Sequence, residues 1–204
     1  MKMLTVLMRL RQSCCDLRMI DDKTSSASIS DVSAKLARLL ELLEEARRGG
    51  HRVLVFSQFT SMLSLIRHEL DEGDVDYCYL DGGRRDRTAV VDRFQKSDGP
   101  SVFLISLKAG GYGLTLTAAD TVVLFDPWWN PAVEAQAADR IHRIGQTKPA
   151  TIYKFISRGT VEEKILRLQD KKRNVMAAAM GEMSDELNPV MAGLSDEEMM
   201  DLLA

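Results

Sequence analysis

The sequence predicts an α/β protein: an open parallel sheet with helices on both faces and further helices flanking it at both ends. Three observations predict it. Five short runs are rich in β-branched and aromatic residues: VLVFS (53–57), YCYL (77–80), VFLIS (102–106), TVVLFD (121–126) and TIYKFI (151–156). Stretches of helical period separate these runs. The runs are continuously apolar rather than alternating, as strands covered on both faces are. With 204 residues, 45% of them hydrophobic, the chain has the material for a sizeable core.

The elements follow in order. Residues up to about Arg18 read as a helix that offers Leu4, Met8 and Leu10 for burial. DDKTSSASIS (21–30) is polar and serine-rich, hence a loop. SAKLARLLELLEEARRGG (33–50) is a helix capped by Ser33, with Leu36, Leu39, Leu40 and Leu43 on one face and Gly49-Gly50 at its end. SMLSLIRHEL, RTAVVDRFQ and AVEAQAADRIHRI are the helices between strands. DEGD (71–74) has the letters of an acidic Mg²⁺-holding box, but the IRHEL before it continues an amphipathic helix and is no buried strand, so DEGD reads as a loop. A long helix starts after Thr160, and a methionine-rich tail follows it. The organisation expected is a leading helix and polar loop at 1–32, a lobe at 33–158, and a helix with an acidic tail at 159–204.

Charge is divided unevenly. Seven of the 30 acidic residues and none of the 27 basic ones lie beyond Arg173, which leaves 27 basic against 23 acidic residues before it. A mildly basic body with an acidic tail permits nucleic-acid binding without establishing it, and simple solvation is the commoner explanation of so small an imbalance. The ending GLSDEEMMDLLA reads as a short amphipathic helix that docks on a lobe or a protein partner, or equally as a peripheral helix that only covers core. The three cysteines, Cys14, Cys15 and Cys78, fit neither a disulfide framework nor zinc spacing, and the three histidines are scattered. No metal site and no membrane span is expected.

In such sheets ligands meet the loops at the carboxyl ends of the strands. Those loops are SQFTS (57–61), DGGRRDR (81–87), SLKAGGYGLT (106–115) and DPWWNP (126–131). The glycines at 110, 111 and 113 can turn backbone N–H groups toward an anion, and Lys108 adds a cation. A tight strand-to-helix turn explains the same glycines. Of Trp128 and Trp129, one is expected to plug the core and the other to stack or to brace a neighbouring lobe.

QAADRIHRIGQ (136–146) places Gln136, Arg140 and Arg143 at i, i+4 and i+7, beside an apolar stripe of Ala137, Ile141 and Ile144. Taken alone, the two guanidiniums read as a solvated face with ordinary salt bridges; beside Gln136, the Gly-rich loop and the strand order they read as groups that meet an anion. Yet no G-x-x-x-x-G-K-[ST] loop occurs in the chain to cradle a triphosphate. Arginines without their own phosphate site are what an arginine-finger arrangement predicts, with the nucleotide held by another lobe.

Taken together, SAKLARLLELL, VLVFSQFTSML, YLDGG, ISLKAGGYGLTLTAADTVVLFDPWWNP and QAADRIHRIGQTKPATIYKFISRGTVEEKI resemble the second RecA-like lobe of SWI/SNF-type DNA-dependent ATPases, within helicase superfamily two. The opening LMRLRQSCCDLRMI resembles the helix leading into that lobe, and the acidic close resembles the endings of bacterial members. The resemblance implies that Arg140 and Arg143 are the fingers, that Gln136 lies beside the γ-phosphate, and that Gly113 approaches the nucleotide. It implies that Ser57, Gln58, Ser106 and Lys108 meet the phosphates of one DNA strand, and that Trp129 and Asn130 couple DNA contact to lobe closure. Two positions depart from the pattern. Thr115 stands where the family has a ribose-contacting Asn or Asp. Gly83 stands where it has a hydroxyl residue, which leaves that DNA contact to the backbone or to Arg84.

The implied function is that of an ATP-driven translocase of double-stranded DNA. ATP and Mg²⁺ would be held mainly by an N-terminal RecA-like lobe of the same protein, and this chain would be inactive alone. The setting would be the bacterial nucleoid in the cytoplasm, or the nucleus in a eukaryote. The alternatives are an RNA-helicase lobe, which WWNP and HRIGQ disfavour, and a non-catalytic DNA-binding or docking module.

Overall fold

The computed structural model describes residues 2–21, 24, 27–83, 86–110, 116–132, 134, 149–180 and 195–203. The runs of β-branched and aromatic residues form five parallel strands: β1 (Val53–Ser57), β2 (Tyr77–Leu80), β3 (Val102–Ser106), β4 (Thr121–Leu124) and β5 (Thr151–Lys154). Their spatial order is β2-β3-β1-β4-β5. Register is tight at the centre, where Val53 pairs with Val102 on one side and with Thr121 on the other.

Helices cover both faces of the central strands β1, β3 and β4, as continuous apolar strands require; β2 is half covered, and β5, at the edge of the sheet, is exposed along its length. Alternate residues of β1 and β3 serve different cores. Val53, Val55, Val102 and Leu104 meet α3 (Ala34–Arg48) and α4 (Thr60–Glu72), through Leu36, Leu39, Met62, Leu63 and Ile66. Leu54, Phe56, Phe103 and Ile105 meet Phe94 of α5 (Arg87–Gln95) and Leu107 of α6 (Leu107–Gly110). Ser33 caps α3 by accepting from the Leu36 N–H at 3.0 Å, and Gly50, at φ +70, closes the exit from that helix.

The flanking helices make a third, smaller core. Leu7 of α1 (Lys2–Cys15) packs with Val161 and Ile165 of α7 (Val161–Met180) and with Leu202 of α8 (Asp196–Leu203). The tail helix therefore docks on the chain's own end helices, with Lys172 and Glu198 paired at 3.1 Å. A short helix, α2 (Ile29–Val32), leads from the polar connection into α3.

Some expectations about faces and ends change. On α1 it is Leu7, Arg11 and Cys15 that are buried, while Leu4 and Leu10 are exposed. On α3, Leu42 is buried in place of Leu40. The strand expected over 121–126 ends at Leu124, and that over 151–156 ends at Lys154. The 71–74 segment is the end of α4, which runs through Asp71 and Glu72. The helix expected around AVEAQAADRIHRI lies largely outside the described residues.

Candidate functional site

The order of the strands locates a crevice. From β1 the chain moves toward β2 and β3, and from β4 it moves the other way to β5, so the two neighbours send their loops in opposite directions. Ligands of doubly wound sheets bind at that point, outside the carboxyl ends. Here the crevice between the ends of β1 and β4 is filled by a side chain from the first helix, Arg11, which is only 1% exposed.

Arg11 joins the two strand ends. One guanidinium nitrogen donates to Gln58 Oε1 at 2.8 Å, just past β1. The other donates to the carbonyl of Pro127, past β4, and stands 3.9 Å from the Asp126 carboxylate. Asp126 in turn accepts from the Ser57 hydroxyl at 2.5 Å and from Gln58 Nε2 at 2.6 Å. The Ser57 oxygen also accepts the N–H of Phe59 at 3.1 Å, which turns the chain into α4. The guanidinium carbon lies 4.9 Å from the Trp129 ring centre, 5.5 Å from Trp128 and 5.6 Å from Phe59. The two tryptophan rings stack on each other with centres 4.1 Å apart.

A second polar set anchors the same loop from below. Glu134 accepts the Trp128 N–H at 2.8 Å, pairs with Lys154 at 2.6 Å, and accepts from Gln169 Nε2 at 2.6 Å. Gln169, on α7, also donates to the Trp128 carbonyl. Beneath β4, Lys35 pairs with Glu162 at 2.6 Å and donates to the Phe125 carbonyl at 3.2 Å.

These charges are costly to bury. Burial raises the pKa of Asp126 above the ordinary aspartate value, against the opposing pull of Arg11 and the Ser57 hydroxyl. Burial likewise raises Glu162 despite the Lys35 ammonium. Arg11 is lowered by desolvation, although Asp126 offsets part of the shift, and it stays charged.

The structure brings together part of the expected site. Ser57, Gln58, Ser106, Trp129 and Asn130 all stand at the carboxyl edge of β1, β3 and β4. Ser57 is fully buried with its hydroxyl committed to Asp126, and Ser106 is 3% exposed, its oxygen accepting the Ala109 N–H at 3.2 Å. Trp128 packs against the core that Leu54, Phe56 and Phe94 form, and Trp129 stacks on it; neither is fully buried. Both are half-buried and pack on each other over Arg11. Asn130 accepts the Ala132 N–H at 3.0 Å. Lys108 lies on α6. At Gly83 the backbone N–H already donates to Asp81 at 3.0 Å. Arg84, Gly113, Thr115, Gln136, Arg140 and Arg143 lie outside the described residues.

Sequence reasoning passed over Arg11, Lys35, Glu134, Glu162 and Gln169. The signal was present: Arg11 and Lys35 interrupt otherwise apolar helix faces, next to Leu7 and Leu36, and a charge there either pairs or unfolds the face. Among the described residues no group of three His, Cys, Asp or Glu side chains is placed to hold a metal. Asp126, the carboxylate at the strand ends, is spent on Ser57, Gln58 and Arg11, so the described residues do not fit Mg²⁺.

Residues 34–145 match the family described as the helicase conserved C-terminal domain. The chromatin-remodeling ATPase INO80 of Cryptococcus neoformans is 43% identical over 179 residues, covering 84% of this chain and 10% of that protein. INO80 of Aspergillus clavatus is 48% identical over 145 residues, covering 70% of this chain and 8% of that protein. The crystal structure of the C-terminal part of the Fun30 ATPase domain superposes with a TM-score of 0.69 at 32% identity, over 83% of this chain and 52% of that one. This chain thus spans about 10% of the length of the curated relatives it matches. These INO80 relatives are fungal and lend no support to a bacterial source.

Proposed function

We infer that this chain, which belongs to the helicase conserved C-terminal domain family, is the second motor lobe of an ATP-driven translocase of double-stranded DNA that remodels chromatin. The observation that carries the reading is the alignment of Gln58, Ser106 and Asn130, at the ends of β1, β3 and β4, on one edge of three adjacent strands. Similarity over most of the chain to a chromatin-remodeling ATPase and to the C-terminal part of another ATPase domain supports it.

In this reading residues 33–158 are the lobe, 1–32 lead into it, and 159–204 close it. Arg140 and Arg143 meet the transferring phosphate when an N-terminal lobe closes, with Gln136 and Gly113 beside the nucleotide. Arg84, Lys108 and the second Nε2 hydrogen of Gln58 meet phosphates of one DNA strand. Ser57 and Ser106 act there through the loop backbone that their hydroxyls hold. Trp129 and Asn130 carry the state of the DNA contact toward closure. The partner lobe holds ATP and supplies the ligands for Mg²⁺, so the chain by itself turns over no ATP. A chromatin substrate places the protein in the nucleus. Phosphate contacts fix position without reading sequence, so binding is nearly indifferent to sequence and falls steeply with salt.

The test is ATP turnover by the intact protein with and without duplex DNA. Arg140→Ala or Arg143→Ala should lower turnover on the order of 10³-fold and leave DNA affinity nearly unchanged. Equal losses of turnover and DNA affinity would put these arginines on the DNA and overturn the assignment.

A further inference from the structure

We propose that Arg11 is a positioning residue: it sets the Gln58 amide and the stacked Trp128–Trp129 pair in one fixed relation, and so ties the DNA-facing loops to the leading helix. The proposal rests on the motor reading above and names a residue which that reading does not use.

Geometry carries the argument. Arg11 spans the crevice between two neighbouring strands and holds the segment after each, Gln58 beyond β1 and Pro127 beyond β4. A guanidinium only donates, so its contact with Gln58 fixes which end of the amide faces it. Oε1 turns to Arg11, and Nε2 is left pointing to Asp126. The planar group also lies within cation–π range of both indoles. Lysine has neither the fork nor the plane.

Stability alone is a poor reason for the arrangement. The guanidinium is buried, its Nε has no partner among the described residues, and its nearest carboxylate is 3.9 Å away. A buried charge with imperfect pairing is commonly matched or bettered by an apolar side chain of similar volume. The arrangement gains fixed orientation instead. It is also linked to the end helices, because Leu7, one turn before Arg11, is the residue on which α7 and α8 close.

Trp128 and Trp129 are the only tryptophans in the sequence, so indole emission reads this loop alone. The experiment uses the 204-residue chain carrying Arg11→Lys or Arg11→Met, with acrylamide quenching and emission wavelength measured beside thermal unfolding. Both variants should unfold cooperatively, yet show redder, more quenchable emission in the folded state, and lysine should not restore the wild-type spectrum. In the intact protein, Arg11→Lys should lower DNA-stimulated ATP turnover about tenfold with DNA-free turnover little changed, short of the hundredfold that an ångström's misplacement can cost. If the arginine variants fail to fold, Gln58→Met removes the acceptor and should move emission the same way by a smaller amount; an unmoved spectrum there overturns the proposal. Unchanged emission in folded Arg11→Lys and Arg11→Met overturns it whatever the ATPase does. An intact protein without DNA-stimulated turnover would sink the motor reading and leave the emission result standing.

Discussion

Asp120 precedes β4 and Asp126 follows it, so one short strand separates two carboxylates that are 4% and 1% exposed. At the amino end, burial works to raise the Asp120 pKa, but hydrogen bonds from His51 at 3.0 Å, the Thr121 hydroxyl and the Arg52 N–H outweigh it, and the net shift is downward. At the carboxyl end, burial of Asp126 wins over every partner, and the net shift is upward. The same strand thus has one end that gains from its charge and another that bears a cost. Perturbed groups whose cost the fold tolerates gather at working sites. The proposed DNA-facing loops stand at the costly end.

The comparison breaks most visibly if the costly end loses one partner. Asp126→Leu should destabilise the chain by about 3–5 kcal/mol in urea unfolding, because Arg11 stays buried without a counter-charge. A loss no greater than that of Asp120→Asn would show the two ends to be equivalent. Lys35→Met should cost a similar amount by stranding Glu162, whereas Lys35→Met with Glu162→Leu should recover most of it, giving a coupling of about 3 kcal/mol in a double-mutant cycle.

Asp120→Asn should cost about 1–2 kcal/mol near neutral pH, the scale of hydrogen bonds to a charged group. Its pH dependence sharpens the contrast. A carboxylate with a lowered folded pKa contributes stability that is present above the unfolded value and lost as pH falls through the folded one. The variant should therefore lose less stability than the wild type on acidification below about pH 4. Asp126 acts with the opposite sign. Its contribution is most favourable below the ordinary aspartate range and declines as pH rises through its raised value, so Asp126→Asn should remove that decline. The smallest effect belongs to neither end. Arg38, paired with Glu41 and Glu45 on the open face of α3, should be replaceable by alanine with no measurable shift in the urea midpoint.

The sequence made the sheet legible because β1, β3 and β4 are apolar except at one end, and runs as short and β-branched as Val53–Phe56 and Val102–Ile105 suit strands covered on both faces. The face of α1 was misread for a physical reason. Counting only apolar residues favours Leu4, Met8 and Leu10, while the buried stripe is centred on an arginine. In α3 the run of leucines satisfies two neighbouring stripes equally, and tertiary packing chose Leu42 over Leu40. Arg11 meets Pro127 across 116 positions, and Lys35 meets Glu162 across 127. Local periodicity carries no information about such pairs. The loops at the strand ends were legible as a candidate site because glycine, hydroxyl and amide groups gather where the strands stop. The side chain that fills the crevice among them was not, because it arrives from a helix far up the chain.

Helix α8 closes on α1, although nearly the whole length of the chain lies between them. Mechanical load applied across the ends therefore meets helix packing first. Tension would draw Leu202 away from Leu7 and Val161 and part Lys172 from Glu198 before it reached any strand. The strands hold one another through hydrogen bonds between neighbours deep in the lobe, outside that first line of force. The fold thus has a yielding clasp at its margin and a stiff plate behind it, and the geometry of the strand ends outlasts the opening of the clasp.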